Sequence, residues 1–480
     1  MTSNPQTRLT LSYDPLNQLR SEFIIKSNSR QFSSQFSNLY YQRLLKLKSN
    51  LQSSSKVKWK DEFKSVRILD ILVGQKMVVI GTVYCDLKFK PNVLDDLSRE
   101  VSTTSSLKKW VSKDDQQITV MLEDESGRIK LLFDHPEEFN FVTGTVMAVL
   151  GEETENGDFK VHEIVNAGVP KQSIRSDLKE EEKEAWVGII SGLDLDGIEA
   201  IRLDHRCEVL SDWLNGQIGS EEEKSLGLSV SRLIIAGNSV RASSSSSNPI
   251  KKRYGYDPSS YTALPIERLD QVLAEIDLPI DLIPGSNDPT TQALPQQPLH
   301  QCLLPKSNFE KQNNNLVNGP NPWWAKIGGQ TFLGTSGQNL DDVYRYVTHE
   351  DRLKLAIQML EWNHISPTSP DTLWCYPFKD HDPFILEELP KVFFIGNQPK
   401  FETELVTFPS DDQTKMILVP RFSKTGIIVL IKPSTLECKS ITLLKEMVKG
   451  SNESDDEENH EDLIENEKIE FEMDEDDEDE

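Results

Sequence analysis

Four short polar stretches follow apolar segments between residues 191 and 399, as the metal-binding loops of a phosphoesterase follow its strands. Such an enzyme needs Asp, His and Asn side chains there, because hard divalent cations must be held by oxygen and imidazole close enough to activate one water. The expected signatures, in chain order, are D-x-H, G-D-x-x-D, G-N-H-D or G-N-H-E, and G-H-x-H. Residues that match these signatures would support metal-assisted hydrolysis of a phosphodiester.

The loops are present, but their residues are poor metal ligands. They read Ser191-Gly192-Leu193-Asp194, Gly237-Asn238-Ser239-Val240-Arg241, Pro284-Gly285-Ser286-Asn287-Asp288 and Gly396-Asn397-Gln398-Pro399. None of the eight histidines lies in a D-x-H or G-H-x-H context. Because Asn and Gln are neutral and Gly has no side-chain ligand, a dinuclear site would lack the charge to hold two cations. We expect no catalytic residue, metal or cofactor, and degenerate ligand positions at Gly192, Asp194, Asn238, Ser286, Asn287, Asn397 and Pro399.

Isolated polar residues have structural interpretations that we favour over functional ones. His300 and His364 lie in Pro-containing stretches, where a hydrogen-bonded structural histidine is commoner than a metal ligand. Asp371 is expected to cap its turn rather than to act as a catalytic carboxylate. Asn238 and Asn287 are able to hydrogen-bond a phosphate, but bonds to the backbone of the four loops are favoured.

Strands that alternate with helices from about residue 185 onward would position these loops. We predict strands at 186–192, 231–238 and 279–284, and helices at 201–215 and 266–276. This order predicts an α/β domain with polar loops at the carboxyl ends of its strands. Further strands at 330–334, 392–396, 415–420 and 426–431 and a helix at 351–362 belong either to the same sheet or to a second one. The Ser run at 242–247 and the Asn-rich stretch at 306–321 are predicted to be surface loops.

A set of short β-rich runs precedes the α/β segment. The runs cover 77–84, 117–122, 129–133, 145–150 and 159–164, and Glu125-Ser126-Gly127 forms a turn between the second and third. Five strands with a polar insertion at 95–115 predict a small closed barrel of the OB type. An amphipathic stretch at 32–48 predicts a helix that packs on this barrel, with a partner-binding arm as the alternative.

The charge of the chain is concentrated at its C-terminus. The formal net charge is −26, and residues 451–480 hold eighteen Asp and Glu against one Lys, which leaves −9 for residues 1–450. A protein that binds nucleic acid by counterion release carries the opposite balance, so tight autonomous DNA binding is disfavoured. The tail is predicted to be a solvated, disordered segment in which Ile469 and Phe471 are candidate anchors of a short motif; mimicry of nucleic acid is the alternative.

One small cluster in the barrel region combines cations with aromatic rings, as single-stranded DNA sites do. It comprises Lys88, Phe89, Lys90, Lys108, Lys109, Trp110 and Lys113. The favoured interpretation is that this face packs on the neighbouring domain or on a partner.

The cysteines and the hydropathy pattern point to a reducing compartment. The five cysteines are widely spaced, so a C-x-x-C metal site and a disulfide framework are both excluded. We also expect no secretory signal and no membrane-spanning segment, since no continuous apolar stretch is long enough.

Several unusual strings resemble those of the DNA polymerase delta small-subunit family. They lie at 84–94, 121–128, 283–289 with 294–300, 335–339 and 364–378, within a span from about residue 40 to about residue 440. The resemblance implies an OB-fold barrel joined to an inactivated calcineurin-like phosphoesterase α/β sandwich. The expected domains are an N-terminal arm with a helix at 1–62, the OB domain at 63–172, the phosphoesterase-like domain at 173–448 and the acidic tail at 449–480.

The same resemblance implies a non-catalytic, nuclear scaffold subunit in DNA replication and repair synthesis. Its expected partners are the cysteine-rich C-terminal domain of the catalytic subunit and the third subunit of the polymerase, with DNA contacted only through the complex. Two alternatives stay open: a single-stranded DNA-binding OB module, and a metal-dependent phosphodiesterase or 3′-exonuclease.

Overall fold

The computed structural model describes residues 8–26, 30–31, 33–90, 109–111, 118–134, 140–173, 180–195, 200–241, 263–310 and 315–443. Its strands are β1 (Tyr13–Asp14), β2 (Ser65–Val66), β3 (Lys76–Asp86), β4 (Thr119–Glu123), β5 (Arg128–Leu132), β6 (Val146–Glu153), β7 (Phe159–Asn166), β8 (Trp186–Ile190), β9 (Val230–Ala236), β10 (Ile280–Ile283), β11 (Leu316–Asn318), β12 (Trp323–Ile327), β13 (Gln330–Thr335), β14 (Val392–Gln398), β15 (Glu402–Thr407), β16 (Gln413–Pro420), β17 (Ile427–Lys432) and β18 (Glu437–Thr442).

The helices connect these strands and cover the sheets. They are α1 (Asn17–Ser21), α2 (Ser37–Trp59), α3 (Ala200–Leu214), α4 (Glu221–Ser229), α5 (Ala263–Glu275), α6 (Pro305–Glu310), α7 (Gln338–Tyr344), α8 (Arg352–Glu361) and α9 (Phe422–Thr425). Short 3₁₀ turns occur at Ile68–Asp70, Glu180–Glu184 and Gln301–Leu303.

The first domain is a closed five-stranded barrel. Its strand order is β3-β4-β5-β7-β6, and β6 pairs back onto β3 to close the sheet. The β5–β7 pair is parallel and the other pairs in the ring are antiparallel, which is the arrangement of an OB fold. The short strand β2 adds to β3 outside the ring. The predicted barrel is therefore confirmed.

Helix α2 packs along the outside of the barrel, as the amphipathic pattern predicts. Its buried residues Leu44, Leu47 and Leu51 pack against the outward side chains of β3 and β6. The helix begins at Ser37 and continues past the predicted end at residue 48 to Trp59, whose indole nitrogen donates to Glu163 at 3.0 Å. The run of serines near its end has low helix propensity, so the packing rather than propensity extends the helix.

The second domain is a sandwich of two sheets with helices on its outer faces. One sheet has the order β11-β10-β9-β8-β17-β18 and the other has the order β1-β12-β13-β14-β16-β15. Both have parallel centres, β8-β9-β10 and β13-β14-β16. Apolar side chains between the sheets include Ile189, Ile234, Phe332, Phe394 and Val429. Helices α3 and α5 cover the first sheet, while α8 packs against the second.

The strands predicted after residue 330 divide between the two sheets. The sequence pattern left open whether they belong to one sheet or to two. The predicted strands at 330–334, 392–396 and 415–420 belong to the second sheet, whereas 426–431 joins the first beside β8. The prediction of a surface loop throughout 306–321 is wrong. This stretch includes most of α6, and Leu316–Asn318 pairs in parallel with β10, because its apolar Leu and Val extend the edge of the first sheet.

The arm, the barrel and the sandwich meet at the side chain of Arg43, which is fully buried on α2. Its Nε donates to Asp382 Oδ2 at 2.7 Å. Its terminal nitrogens donate to the carbonyl oxygens of Gly144 at 3.0 Å, Pro367 at 2.7 Å and Ser369 at 2.7 Å. Gly144 belongs to the barrel and the other three acceptors belong to the sandwich domain, so one guanidinium ties all three parts together.

His364 completes this buried cluster. Its Nε2 lies 2.9 Å from Asp382 Oδ2, and its Nδ1 accepts from the backbone N–H of Ser366 at 3.1 Å. Burial and the nearby Arg43 lower the pKa of His364 to about 4. Burial opposes ionisation of Asp382, but Arg43 and His364 hold the pKa of Asp382 well below its ordinary value. The cluster is thus a neutral imidazole and an ion pair at neutral pH.

We predict that Arg43→Met destabilises the chain by about 3 kcal/mol or more, because it leaves the buried Asp382 carboxylate without its cation and three carbonyls without a donor. Urea unfolding followed by tryptophan fluorescence measures the change. Lys46→Met is the matched control on the same helix: its pair with Glu387 is exposed, so we expect little effect. Equal effects of the two substitutions would contradict the role assigned to Arg43.

We also predict that acidification unfolds the chain partly through His364. Between pH 6.5 and about 4 the unfolded chain binds a proton that the native state excludes, so stability is present above pH 6.5 and is lost as the pH falls towards 4. The full loss is about 3 kcal/mol. In His364→Gln this part of the pH dependence should disappear, as measured by thermal unfolding from pH 4 to 7. His205→Gln, on the exposed face of α3, should leave the curve unchanged.

Candidate functional site: the four loops at one edge of the sandwich

The four loops meet because the parallel strands that precede them end at the same edge of the sandwich. The backbone N–H of Gly192 donates to the carbonyl of Gly237 at 2.8 Å, and that of Asp194 donates to the carbonyl of Asn238 at 3.0 Å. From the facing sheet, the backbone N–H of Asn397 donates to Ser191 Oγ at 2.8 Å. The fold therefore brings the sequence-predicted positions together.

Asn238 cross-links the second and third loops. It adopts a left-handed backbone conformation, with φ of 53°. Its side-chain oxygen accepts from the backbone N–H of Asn287 at 3.1 Å and from Ser286 Oγ at 3.3 Å. The predicted role of Asn238, which is to satisfy the backbone of these loops, is confirmed.

Asn397 has a similar role at the end of β14. Its amide nitrogen donates to the carbonyls of Ala236 at 3.2 Å and Ser336 at 2.8 Å. Its amide oxygen is buried and has no hydrogen-bond partner within the described residues. Pro399, in contrast, is exposed one residue beyond the end of β14.

The carboxylates at the loops are bound to protein groups. Asp194 accepts from Ser423 Oγ at 2.7 Å and lies 3.6 Å from a terminal nitrogen of Arg421. Asp288 accepts from the backbone N–H groups of Val240 at 3.0 Å and Gly285 at 2.7 Å. Burial raises the pKa of Asp288 to about 7, although these backbone donors oppose the shift.

Arg421 is the residue at this edge that sequence reasoning missed. It follows β16, more than two hundred residues after Asp194, and no local pattern connects it with the first loop. Only the order of strands in the two sheets brings them together. Its cationic group lies beside Asp194 and compensates the charge of that carboxylate.

Close packing leaves little space between the loops. A methyl group at Gly285 would lie 2.4 Å from the backbone nitrogen of Asn238, and one at Gly396 would lie 2.5 Å from the carbonyl oxygen of Ala236. Within the described residues, no group of three or more His, Cys, Asp or Glu side chains is arranged to hold a metal ion. The arrangement is a network of amides, hydroxyls and backbone groups, together with the carboxylates of Asp194 and Asp288 and the guanidinium of Arg421, that hydrogen-bond to one another.

The other histidines and acids considered above have structural contacts. His300 accepts from the backbone N–H of Cys302 at 3.2 Å, and His364 belongs to the Arg43 cluster, so the structural interpretation of both is confirmed. The expectation that Asp371 caps its turn is wrong. Its carboxylate instead pairs with Lys90 and accepts from the hydroxyl of Tyr346 at 3.3 Å, since the barrel brings a cation to it.

The cationic and aromatic cluster of the barrel packs largely on the sandwich domain. Lys109 donates to the carbonyls of Thr348 at 3.0 Å and His349 at 2.8 Å. Trp110 packs edge-on against Tyr346, with ring centres 5.1 Å apart. The packing interpretation is confirmed for Lys90, Lys109 and Trp110; Phe89 is exposed, and Lys108 and Lys113 lie outside the described residues.

Comparisons with known proteins identify the family. A family model for the OB-fold domain of the DNA polymerase delta subunit matches residues 35–164, and a model for the B-type subunits of DNA polymerases alpha and epsilon matches residues 187–403. A DNA polymerase delta small subunit from Oryza sativa subsp. japonica is 36% identical over 412 residues, which cover 85% of this chain and 92% of the relative. The chain belongs to the DNA polymerase delta small-subunit family.

Two further small subunits of this family extend the similarity. The relative from Arabidopsis thaliana is 36% identical over 417 residues, which cover 85% of this chain and 91% of the relative. The relative from Saccharomyces cerevisiae is 32% identical over 479 residues, which cover 92% and 96%. The family resemblance and the expectation of an accessory subunit of this polymerase are therefore confirmed.

Among the described residues, no helix combines the length and the apolar character that crossing a bilayer requires. The acidic tail and the Ser run at 242–247 lie outside the described residues, so the predictions made for them stay predictions.

We predict that Gly285→Ala destabilises the chain by about 2 kcal/mol, because the new methyl group overlaps the backbone of Asn238 and pushes the second and third loops apart. Differential scanning calorimetry measures the loss. Gly127→Ala is the matched control, since a methyl group there would lie 3.8 Å from its nearest neighbour, in ordinary contact. Tolerance of Gly285→Ala would mean that the loops are less tightly packed than described.

Proposed function

We propose that this chain is a non-catalytic scaffold of DNA polymerase delta, built from an OB barrel and a degenerate phosphoesterase-like sandwich. The observation that carries the proposal is the network at the four loops. Asn238 and Asn397 bind backbone groups, and Arg421 lies beside Asp194, where an active enzyme would need free anionic ligands for two cations. The proposed degenerate positions are those predicted from the sequence: Gly192, Asp194, Asn238, Ser286, Asn287, Asn397 and Pro399.

A scaffold must hold its binding surfaces in a fixed relation, and the interdomain contacts of this chain suit that requirement. The buried Arg43 links the arm, the barrel and the sandwich, and Lys109 and Trp110 add a second connection between the two domains. A rigid body of this kind loses little conformational entropy when it binds two partners at once. The domain limits proposed are 1–62, 63–172, 173–448 and 449–480.

The partners proposed are the cysteine-rich C-terminal domain of the catalytic subunit and the third subunit, in the nucleus. DNA would be contacted only through the assembled polymerase. A single-stranded DNA-binding module is less well supported, because Lys90, Lys109 and Trp110 are occupied by contacts within the chain.

The test is co-expression of the full chain with the C-terminal domain of the catalytic subunit. We expect one stoichiometric complex by size-exclusion chromatography with light scattering. The same sample should hold no stoichiometric metal at the loops and should not hydrolyse a phosphodiester with Mn²⁺. An uncomplexed chain, or hydrolysis that co-elutes with the chain, would overturn the proposal.

Two variants test whether formation of the complex requires the fixed relative position of the barrel and the sandwich. Arg43→Met should lower the recovery of the complex, because one of the contacts that fix the two domains relative to each other is lost, whereas Lys46→Met should not. The DNA-binding alternative would be favoured instead if the chain alone, without its polymerase partners, binds a fluorescent oligonucleotide with an affinity that falls steeply as salt rises.

A further inference from the structure

An apolar patch projects from one edge of the barrel, in the connection between β2 and β3. Leu69, Leu72 and Val73 are 73%, 52% and 62% exposed, and they lie within five consecutive residues. Single exposed apolar side chains are ordinary, but a contiguous group of them usually marks a binding surface. We call these three residues the barrel-edge patch.

The segment that carries the barrel-edge patch is anchored to the barrel. Ile68 and Ile71 lie between the exposed residues in sequence, yet both pack against the buried apolar core. The N–H of Ile68 donates to Asp124 Oδ2 at 2.9 Å, and the N–H of Gly74 donates to the carbonyl of Glu153 at 3.1 Å. The exposed side chains are therefore presented by a preorganised segment, which lowers the cost of binding.

Those two hydrogen bonds place the patch between the β4–β5 turn and the β6–β7 hairpin, and both of these turns are acidic. Residues 64–76, 123–128 and 152–158, together with Lys48, which pairs with Glu125, hold five cations and eight acids. The cations are Lys48, Lys64, Arg67, Lys76 and Arg128, and the acids are Asp70, Glu123, Asp124, Glu125, Glu152, Glu153, Glu155 and Asp158. The formal net charge around the patch is therefore −3.

The excess of negative charge lies on the hairpin side of the patch. Three of the five cations already pair with acids of the same set, as Lys48–Glu125, Arg67–Asp70 and Arg128–Glu123. Residues 152–158 hold four acids and no Lys or Arg. Within the described residues, Glu153 and Glu155 form no ion pair, so their carboxylates are available to a ligand.

This charge decides which class of occupant fits the patch. Nucleic acid and anionic lipid surfaces carry the same sign of charge and would be repelled. A second copy of the chain would bring the same acids face to face, because a two-fold interface uses one surface twice. A protein segment that combines apolar side chains with Lys or Arg complements both the exposed side chains and the charge.

We propose that the barrel-edge patch docks a basic, apolar segment of a partner protein. The apolar side chains of this segment cover Leu69, Leu72 and Val73, and its Lys or Arg residues lie over Glu153 and Glu155. The patch is thus a binding surface in addition to those that hold the polymerase subunits, and it is defined by the chemistry of the bound segment.

The two parts of the contact respond differently to salt. Removal of the apolar side chains from water supplies most of the free energy of binding, and moderate salt does not weaken it. The attraction between exposed charges is screened. Affinity should therefore fall moderately as salt rises and then level off at the apolar contribution.

Three fluorescein-labelled peptides test the chemistry on the full chain by fluorescence anisotropy. Lys-Lys-Leu-Phe-Leu-Lys-Lys should bind about tenfold more tightly than Lys-Lys-Ser-Ser-Ser-Lys-Lys, which lacks the apolar anchors, and than Glu-Glu-Leu-Phe-Leu-Glu-Glu, which has the opposite charge. The acidic residues 451–480 attract any cationic peptide, and the serine peptide measures that contribution. Equal affinity for all three peptides would overturn the proposal.

Variants of the patch locate the binding. Leu72→Ser with Val73→Ser should weaken binding of the basic apolar peptide about tenfold, and Glu153→Gln with Glu155→Gln should weaken it about threefold and flatten its salt dependence. Leu405→Ser and Glu404→Gln, at exposed positions of β15, are the matched controls and should change nothing. Thermal unfolding checks that every variant keeps its fold. Equal losses in the patch variants and the controls would exclude this surface.

One further variant separates a partner from the chain itself. Residues 250–254 read Ile-Lys-Lys-Arg-Tyr and have the same basic, apolar chemistry. If they occupied the patch, the peptide would bind only after Lys251, Lys252 and Arg253 were changed to Gln, and this result would overturn the assignment to a partner. No polymerase subunit enters these experiments, so their failure would leave the scaffold role untouched, and an uncomplexed chain in the co-expression test would leave the patch untouched.

Discussion

The guanidinium of Arg43 is the group on which the relative placement of the arm, barrel and sandwich depends. Removing a cation from water is costly, and the cost is recovered here because four acceptors surround the guanidinium. Asp382 supplies the opposite charge, and the carbonyls of Gly144, Pro367 and Ser369 supply the remaining acceptors. Since those acceptors belong to two domains, the interaction is satisfied only when the domains have one particular orientation.

The hydrogen bonds among the four loops depend on the relative position of the two sheets of the sandwich. The two sheets must keep their relative position for Asn397 to bind Ala236 and Ser336 and for Arg421 to lie beside Asp194. The side chains at this edge hold the loops to one another. These contacts make the edge of the sandwich rigid.

The local sequence pattern was sufficient to predict the elements in which apolar and polar residues alternate regularly or in which most residues are apolar. The barrel strands and the parallel strands β8, β9 and β10 were predicted within a few residues of their bounds, because burial on one or both faces leaves a clear signal. Strand β12 was missed although Gly328 and Gly329, both with positive φ, turn the chain directly back into β13. Strands β15 and β18 are edge strands with exposed, polar residues, and nothing in their sequence separates them from loops.

Long-range contacts account for what the sequence did not reveal at the site. The meeting of the loops was readable from the sequence, because parallel strands end at a shared edge. The partners of individual residues were not. Arg43 occupies an ordinary helical position, and its acceptor Asp382 lies 339 residues away. Asp371 looked like a turn residue because its partner Lys90 comes from another domain.

The separation of 339 residues between Arg43 and Asp382 also affects how the chain folds during synthesis on the ribosome. Helix α2 and the barrel strands are complete by residue 166, so the first domain can fold early from contacts that are close in sequence. At a translation rate of about 10 residues per second, Arg43 then waits roughly half a minute for Asp382 to be made. During that interval the guanidinium lacks its carboxylate partner, and the barrel has no finished sandwich to pack against. The union of barrel and sandwich is therefore a late event of biogenesis, and the nascent chain passes through a stage with one finished domain and an open junction.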